Sequence, residues 1–285
     1  MAMRSGGGRL WPGGRRVAVW VTLNVECFVA GQPGPSLQPH LVHGHDIANY
    51  GWREYGNRAG FWRLLDLLSE LSVPVTAAVN GDLCDRHPDV VRAVGEAGWA
   101  VMAHGLENST RHHGLAPEAE RDRIVGTVAK LEQATGRRPV GWLTPGFAVT
   151  DATDRLLLEA GLRYTADRGD SDVPYWLDTE SGRLLAVPYS LETNDISLLL
   201  CMRHTADQFA DALVAHVAQL CAEPRAGTVV GIGLHTFLVG QPGRIASLRT
   251  CLRHIATMPE VWLCTGDEIY MHVTGGTPHE DGSRS

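Results

Sequence analysis

"RRVAVWVTLNVECF", residues 15–28, is an almost unbroken apolar run rich in β-branched residues that ends on polar Asn24 and Glu26. A strand that is apolar on both faces is a strand covered on both faces, which is the environment of a parallel sheet. Similar runs follow: "VPVTAAVN" (73–80), "WAVMAH" (99–104), "RPVGWLT" (138–144), "LRYTAD" (162–167), "GRLLAVPYS" (182–190), "GTVVGIGLH" (227–235) and "EVWLCT" (260–265). Between most of them lie amphipathic stretches. "RAGFWRLLDLLSEL" (58–71) spaces Phe61, Leu64, Leu65 and Leu68 as one helix face, and "HPDVVRAVGEAG" (87–98) has a proline in its first turn and a glycine past its end. Strand and helix alternating in this way predict a parallel α/β sheet, and a chain of 285 residues closes it most economically into a barrel.

The same pattern sets the boundaries: a flexible segment over 1–15, one catalytic barrel domain over 16–273 and a disordered tail over 274–285. The Pro/Gly-rich stretch 31–56 is longer than an ordinary connection and is expected to serve function. The chain is 44% hydrophobic with a net charge of −7, so nothing in it suggests a nucleic-acid surface or a polybasic membrane anchor. Six scattered cysteines form no CxxC, and most of them are read as buried thiols. No apolar leader precedes the first strand. The expectation is a cytoplasmic protein acting on a small molecule.

In a parallel barrel the chemistry collects at the carboxyl ends of the strands. The polar residues there are Asn24 and Glu26, Asn80 and Asp82, His104 and Asn108, Thr144, then Asp167, Asp170 and Asp172, then Glu192, Asn194 and Asp195, and His235. Asn80 also reads as a cap of the next helix, and Asp170 and Asp172 as turn formers. His112 and His113 read as a solvated loop pair. Arg53 suits an anionic or ureido group, with a salt bridge to Glu54 or a neighbour as its structural counterpart.

The end of the first strand, the His104 segment, "GWLTPG" (141–146) and the final "GLH" (233–235) together resemble the motifs of the polysaccharide deacetylase family of distorted (β/α)7-type barrels. "NYGWREYGNRAGFWRLLDLL" (49–68), "DSDVPYW" (170–176), "VPYSLETND" (187–195) and "IGLHTFLVGQPGR" (232–244) resemble a branch that includes metal-independent allantoinases and other cyclic amide and imide hydrolases. The resemblance spans roughly residues 16–270. It implies a hydrolase of carbon–nitrogen bonds other than peptide bonds and a homo-oligomer. Typical members carry two aspartates after the first strand and His-x-x-x-His for a metal. Here the strand offers Asn24 and Glu26, and the second motif becomes His104-Gly-Leu-Glu-Asn108.

An asparagine is a poor zinc donor, so Glu26, His104 and Asn108 are candidate ligands for one divalent metal such as Zn²⁺, while metal-free catalysis is the leading expectation. Glu26 is then the general base, His104 holds water, Asn24 positions water or substrate, and by the resemblance His235 is the general acid. Backbone N–H groups around Thr144-Pro145-Gly146 are expected to help form an oxyanion hole. Arg53, Tyr55, Asn108, Asp167, Asp170 and Asn194 are expected substrate contacts. The readings kept open are a small cyclic amide, ureide or imide as substrate, an N-acyl sugar or natural product cleaved with a metal, and a catalytically degenerate barrel that only binds.

Overall fold

The computed structural model describes residues 10–38 and 46–276. Strand β1 (Val17–Val25) is the axis of the sheet and buries all nine of its residues. It pairs in parallel with β2 (Val75–Val79) along its carboxyl half, with β9 (Val261–Cys264) along its amino half, and with β8 (Thr228–His235) along its length. Beyond β2 the sheet continues through β3 (Ala100–Ala103), β4 (Gly141–Trp142) and β5 (Tyr164–Thr165), all parallel, to β7 (Gly182–Ala186). The final neighbour, β6 (Tyr175–Thr179), pairs antiparallel with β7. Sequence patterning predicts the parallel strands but not this hairpin, because in "DVPYWLDT" (172–179) a proline immediately precedes the strand and the strand is only half-buried.

The sheet curls without a continuous ladder between β7 and β8. One isolated parallel bridge, Asn194 to Gly233, spans the gap. The result is a distorted half-barrel of parallel strands, as the alternation predicts. Alternation along β1 divides the core into two layers. Val19, Val21, Leu23 and Val25 face the helices. Ala18 and Trp20 fill the interior with Met102, Tyr164 and Tyr189.

Helix α1 (Ile47–Tyr55) runs through a π turn (Gly56–Gly60) into α2 (Phe61–Glu70). The supposed long connection 31–56 is therefore helical in its last third, started by the Asp46 side chain accepting from the Asn49 N–H. The remaining helices are α3 (Leu83–Arg86), α4 (Pro88–Glu96), α5 (Pro117–Thr135), α6 (Thr153–Glu159), α7 (Ala206–Ala222), α8 (Pro242–Ala256) and α9 (Gly266–Thr274). The packed chain also starts before residue 16: Trp11 is buried and its indole donates to the Thr228 carbonyl. What the sequence leads one to expect of 1–9, 39–45 and 277–285 concerns residues outside those described. No helix among the described residues is long and apolar enough to cross a membrane.

The π turn bears directly on the site. A Cβ at Gly60 would collide with the Thr236 carbonyl, the backbone immediately after His235. Neither partner can swing away, since both are backbone. Gly60→Ala is expected to cost about 1–3 kcal/mol, the usual range for overpacking. Thermal and urea unfolding against wild type read this; an unchanged midpoint would show that the helix can slide instead.

Candidate active site

Register brings the polar strand ends to one level. Asn24 pairs with His235 across β1 and β8, and Ala103, the last residue of β3, stands opposite Val79, itself opposite Val25. Glu26, His104 and Asn108 follow just beyond, around a cleft of about 230 Å³.

Glu26 lies at its centre, 4% exposed. His104 Nε2 is 3.1 Å from Glu26 Oε1, the Asn108 amide donates to the same oxygen, and His235 Nε2 lies 3.6 Å from it. Glu26 Oε2 is buried with no hydrogen-bond partner. Burial alone would raise the Glu26 pKa, but His235, His104 and Arg111 outweigh it and hold the carboxyl below its usual value. Glu26 is an anion with one oxygen engaged and one buried without a partner.

His104 is fixed by Nδ1–H donating to the Leu143 carbonyl at 2.7 Å, which turns Nε2 onto Glu26. His235 donates from Nδ1 to Asp195 Oδ1 at 2.6 Å, and Asp195 Oδ2 accepts the backbone N–H of His235 at 2.7 Å. Burial would depress the His235 pKa, yet Asp195 and Glu26 together raise it. Among the strand-end residues Asp195 stands beside Asn194, and only the fold tells them apart. Asp195 orients the histidine. Asn194 lines the cleft but gives its Nδ2 to the Tyr189 hydroxyl.

The donor set can be tested against a metal. Asn80 accepts the Cys27 N–H on Oδ1 at 2.8 Å and donates from Nδ2 to the His104 carbonyl. That fixes its amide, so Asn108 must turn Oδ1 toward Asn80 Nδ2, 3.0 Å away, and its NH₂ toward Glu26. Asn108 thus presents hydrogens where a metal ligand needs a lone pair. No group of three or more His, Cys, Asp or Glu side chains among the described residues is arranged to hold a metal ion. The residues do not fit a tetrahedral zinc site. Asn80 itself is a network residue and not merely a helix cap.

Of the other expected contacts, Thr144 and Gly146 line the cleft and the rest lie away from it. Thr144 donates both its N–H and its hydroxyl to Asp167, at 2.7 Å each, and Pro145 has no N–H. Of the expected oxyanion donors only the Gly146 N–H has neither a backbone nor a side-chain acceptor among the described residues. Asp167 is therefore a support for the Thr144 turn. Arg53 neither lines the cleft nor pairs with Glu54. Its guanidinium lies 5.0 Å from the Phe28 ring centroid and donates to the Pro35 carbonyl, while Glu54 faces Arg86 and His87. The Tyr55 hydroxyl accepts from Arg63, and Asp170 accepts from Tyr175 in a separate hollow. The expected solvated histidine pair is also divided: His112 is fully buried 3.6 Å from Glu120, and His113 is exposed. Sequence reasoning missed Tyr189 and Arg111 on the cleft wall. A Cβ at Gly146 (φ +59°) would overlap the Arg111 guanidinium, which no hydrogen bond or ion pair with a described residue engages.

A model of the family described as polysaccharide deacetylase matches residues 49–165, which include His104 and Asn108. A Schizosaccharomyces pombe protein carrying the polysaccharide deacetylase name is 32% identical over 240 residues, 76% of this chain and 73% of that protein. The chain belongs to the polysaccharide deacetylase family. It is a hydrolase of carbon–nitrogen bonds other than peptide bonds. Among solved structures it is similar to Puue allantoinase, at 29% identity and a TM-score of 0.83 with 94% of each chain covered. It is equally similar to a probable polysaccharide deacetylase from Pseudomonas aeruginosa PAO1, at 29% identity and a TM-score of 0.84 with 95% of each covered.

Proposed function

We propose that this hydrolase opens the amide bond of a small cyclic amide, ureide or imide, in the manner of an allantoinase. The observation that carries the reading is Glu26, whose Oε1 is engaged by three neighbours and whose Oε2 is buried without a partner. An ionised carboxylate oxygen left without a partner at the wall of a cleft is a base waiting for a proton. The small volume and the apolar walls from Phe28, Leu143 and Phe147 favour a compact substrate over a sugar chain. The likeness to Puue allantoinase over nearly the full length supports the same class.

Water held between Glu26 and the substrate carbonyl gives its proton to Oε2 and attacks the carbon. The oxyanion is held by the Gly146 N–H. As the tetrahedral adduct collapses, His235 passes its Nε2 proton to the leaving nitrogen; the cycle closes when Glu26 Oε2 gives its proton to solvent and His235 Nε2 takes one up beside the Glu26 charge 3.6 Å away. His104 and Asn108 keep the carboxylate aimed. Arg111 at the rim adds a cation that suits carbonyl-rich or anionic substrates.

The test is initial rates on allantoin, hydantoin, succinimide and N-acetylglucosamine oligomers, before and after exhaustive chelation with metal analysis. Turnover of a cyclic substrate, unchanged by chelator, is expected. Turnover confined to the acetylated oligomers, with stoichiometric zinc and loss on chelation, would replace this reading with the metal-dependent deacetylase.

A further inference from the structure

Tyr189 is 1% exposed, sits at the seam between β7 and β8, and lines the cleft beside Asn24 and Asn194. Its hydroxyl oxygen accepts from Asn24 Nδ2 at 3.0 Å and from Asn194 Nδ2 at 3.1 Å. Neither amide can be reversed. Asn24 Nδ2 also donates to the Leu234 carbonyl, and Asn194 Oδ1 accepts the Ile196 N–H. A phenol oxygen has two acceptor positions and one hydrogen. With both positions filled by N–H groups, the hydrogen must point away from them, and among the described residues no acceptor receives it.

The backbone makes room for this arrangement. A Cβ at Gly233 would collide with the Tyr189 hydroxyl and stand 2.6 Å from Asn194 Nδ2. Gly231 and Gly233 lie on the same face of β8 as His235, so "GIGLH" is a strand stripped on its inner face to admit the tyrosine. Burial above all raises the Tyr189 pKa well above its ordinary value, so the hydroxyl keeps its hydrogen at any working pH.

We propose that Tyr189 is a catalytic hydrogen-bond donor, its hydroxyl hydrogen held toward the cleft by Asn24 and Asn194 so that it stabilises the oxyanion with the Gly146 N–H. The proposal rests on the hydrolase reading above. It also gives Asn24 a function other than holding water: its NH₂ sets the tyrosine.

Removing one oxyanion donor lowers kcat by about 10²–10³. Tyr189→Phe is therefore expected to lose about 100-fold in kcat on the best substrate of the panel, with KM within about threefold. Asn194→Asp keeps the tyrosine but puts a carboxylate oxygen where an N–H stood, drawing the hydroxyl hydrogen out of the cleft. It should lose a comparable factor alone and add nothing in a Tyr189→Phe background, because both act through one hydrogen. Near-wild-type kcat for Tyr189→Phe beside an inactive Glu26→Gln overturns the proposal and leaves the hydrolase reading standing. So does a full additional loss from Asn194→Asp in the Phe background. Full activity in Glu26→Gln overturns both. Because the Phe variant can lose stability, the double-variant comparison at matched folded fraction provides the second measurement.

Discussion

Glu26→Gln is expected to abolish turnover almost completely, lowering kcat/KM by about 10⁴, the upper end for loss of a general base. The substitution is gentle structurally. All three neighbours of Glu26 converge on Oε1, and a glutamine carbonyl oxygen can still accept there, while its NH₂ takes the place of Oε2, which has no partner to lose. What disappears is the negative charge and the oxygen that receives the proton. Circular dichroism should show the fold retained at pH 7, with the melting midpoint lowered only by the loss of the carboxylate's stabilising charge, while the rate collapses. A variant retaining more than about a tenth of the wild-type rate would remove Glu26 from the role of base.

The pH dependence follows from the same carboxyl. The Glu26 pKa is depressed in the folded protein, so its anionic form persists below the usual carboxylate range and the acid limb of kcat/KM should lie there. The depressed value also links to stability: the contribution is present above the unfolded pKa and is lost as pH falls through the folded one. Glu26→Gln should flatten that part of the acid-unfolding curve.

How much of this was legible in the chain depends on which physics fixes each feature. The parallel strands follow from apolar runs, because burial on both faces leaves no polar alternation. Glu26, His104 and His235 followed from position, since polar residues terminating such runs reach the carboxyl rim of the sheet. The antiparallel β6–β7 hairpin and the helical 47–55 segment did not, being half-exposed or masked by Pro and Gly around them. Arg53, Tyr55 and Asp170 were misplaced because a residue type says what a side chain can bind, whereas the direction of its helix or loop decides whether it reaches the cleft. Tyr189 was hidden for a further reason. In sequence it is an aromatic residue in an apolar run, and only the two fixed amides across the seam reveal where its hydrogen must go.

Asp195→Asn tests the other half of the proton circuit and is expected to lower kcat/KM by about 10³ at neutral pH, within the span assigned to general acid catalysis. His235 is buried, and burial by itself drives its pKa down; the Asp195 charge, held against Nδ1 at 2.6 Å, is the first force that reverses this, with Glu26 the second. An asparagine can accept the His235 backbone N–H on its oxygen but then turns its NH₂ toward Nδ1, which must accept instead of donate, so the imidazole keeps its place but loses the charge that keeps it protonated. The working form of a general acid is the protonated one, so activity falls as pH rises through its pKa. The alkaline limb of kcat/KM in Asp195→Asn should therefore move to lower pH, whereas a purely structural defect would lower the whole profile without moving it. Stability supplies an independent reading: a raised histidine pKa stabilises the fold below the unfolded value and that contribution is lost as pH rises through the folded one. Wild type should show this loss on the alkaline side and Asp195→Asn should not. An unmoved alkaline limb together with an unaltered stability profile would mean that Asp195 only holds His235 in place, and that its charge has no share in the proton transfer.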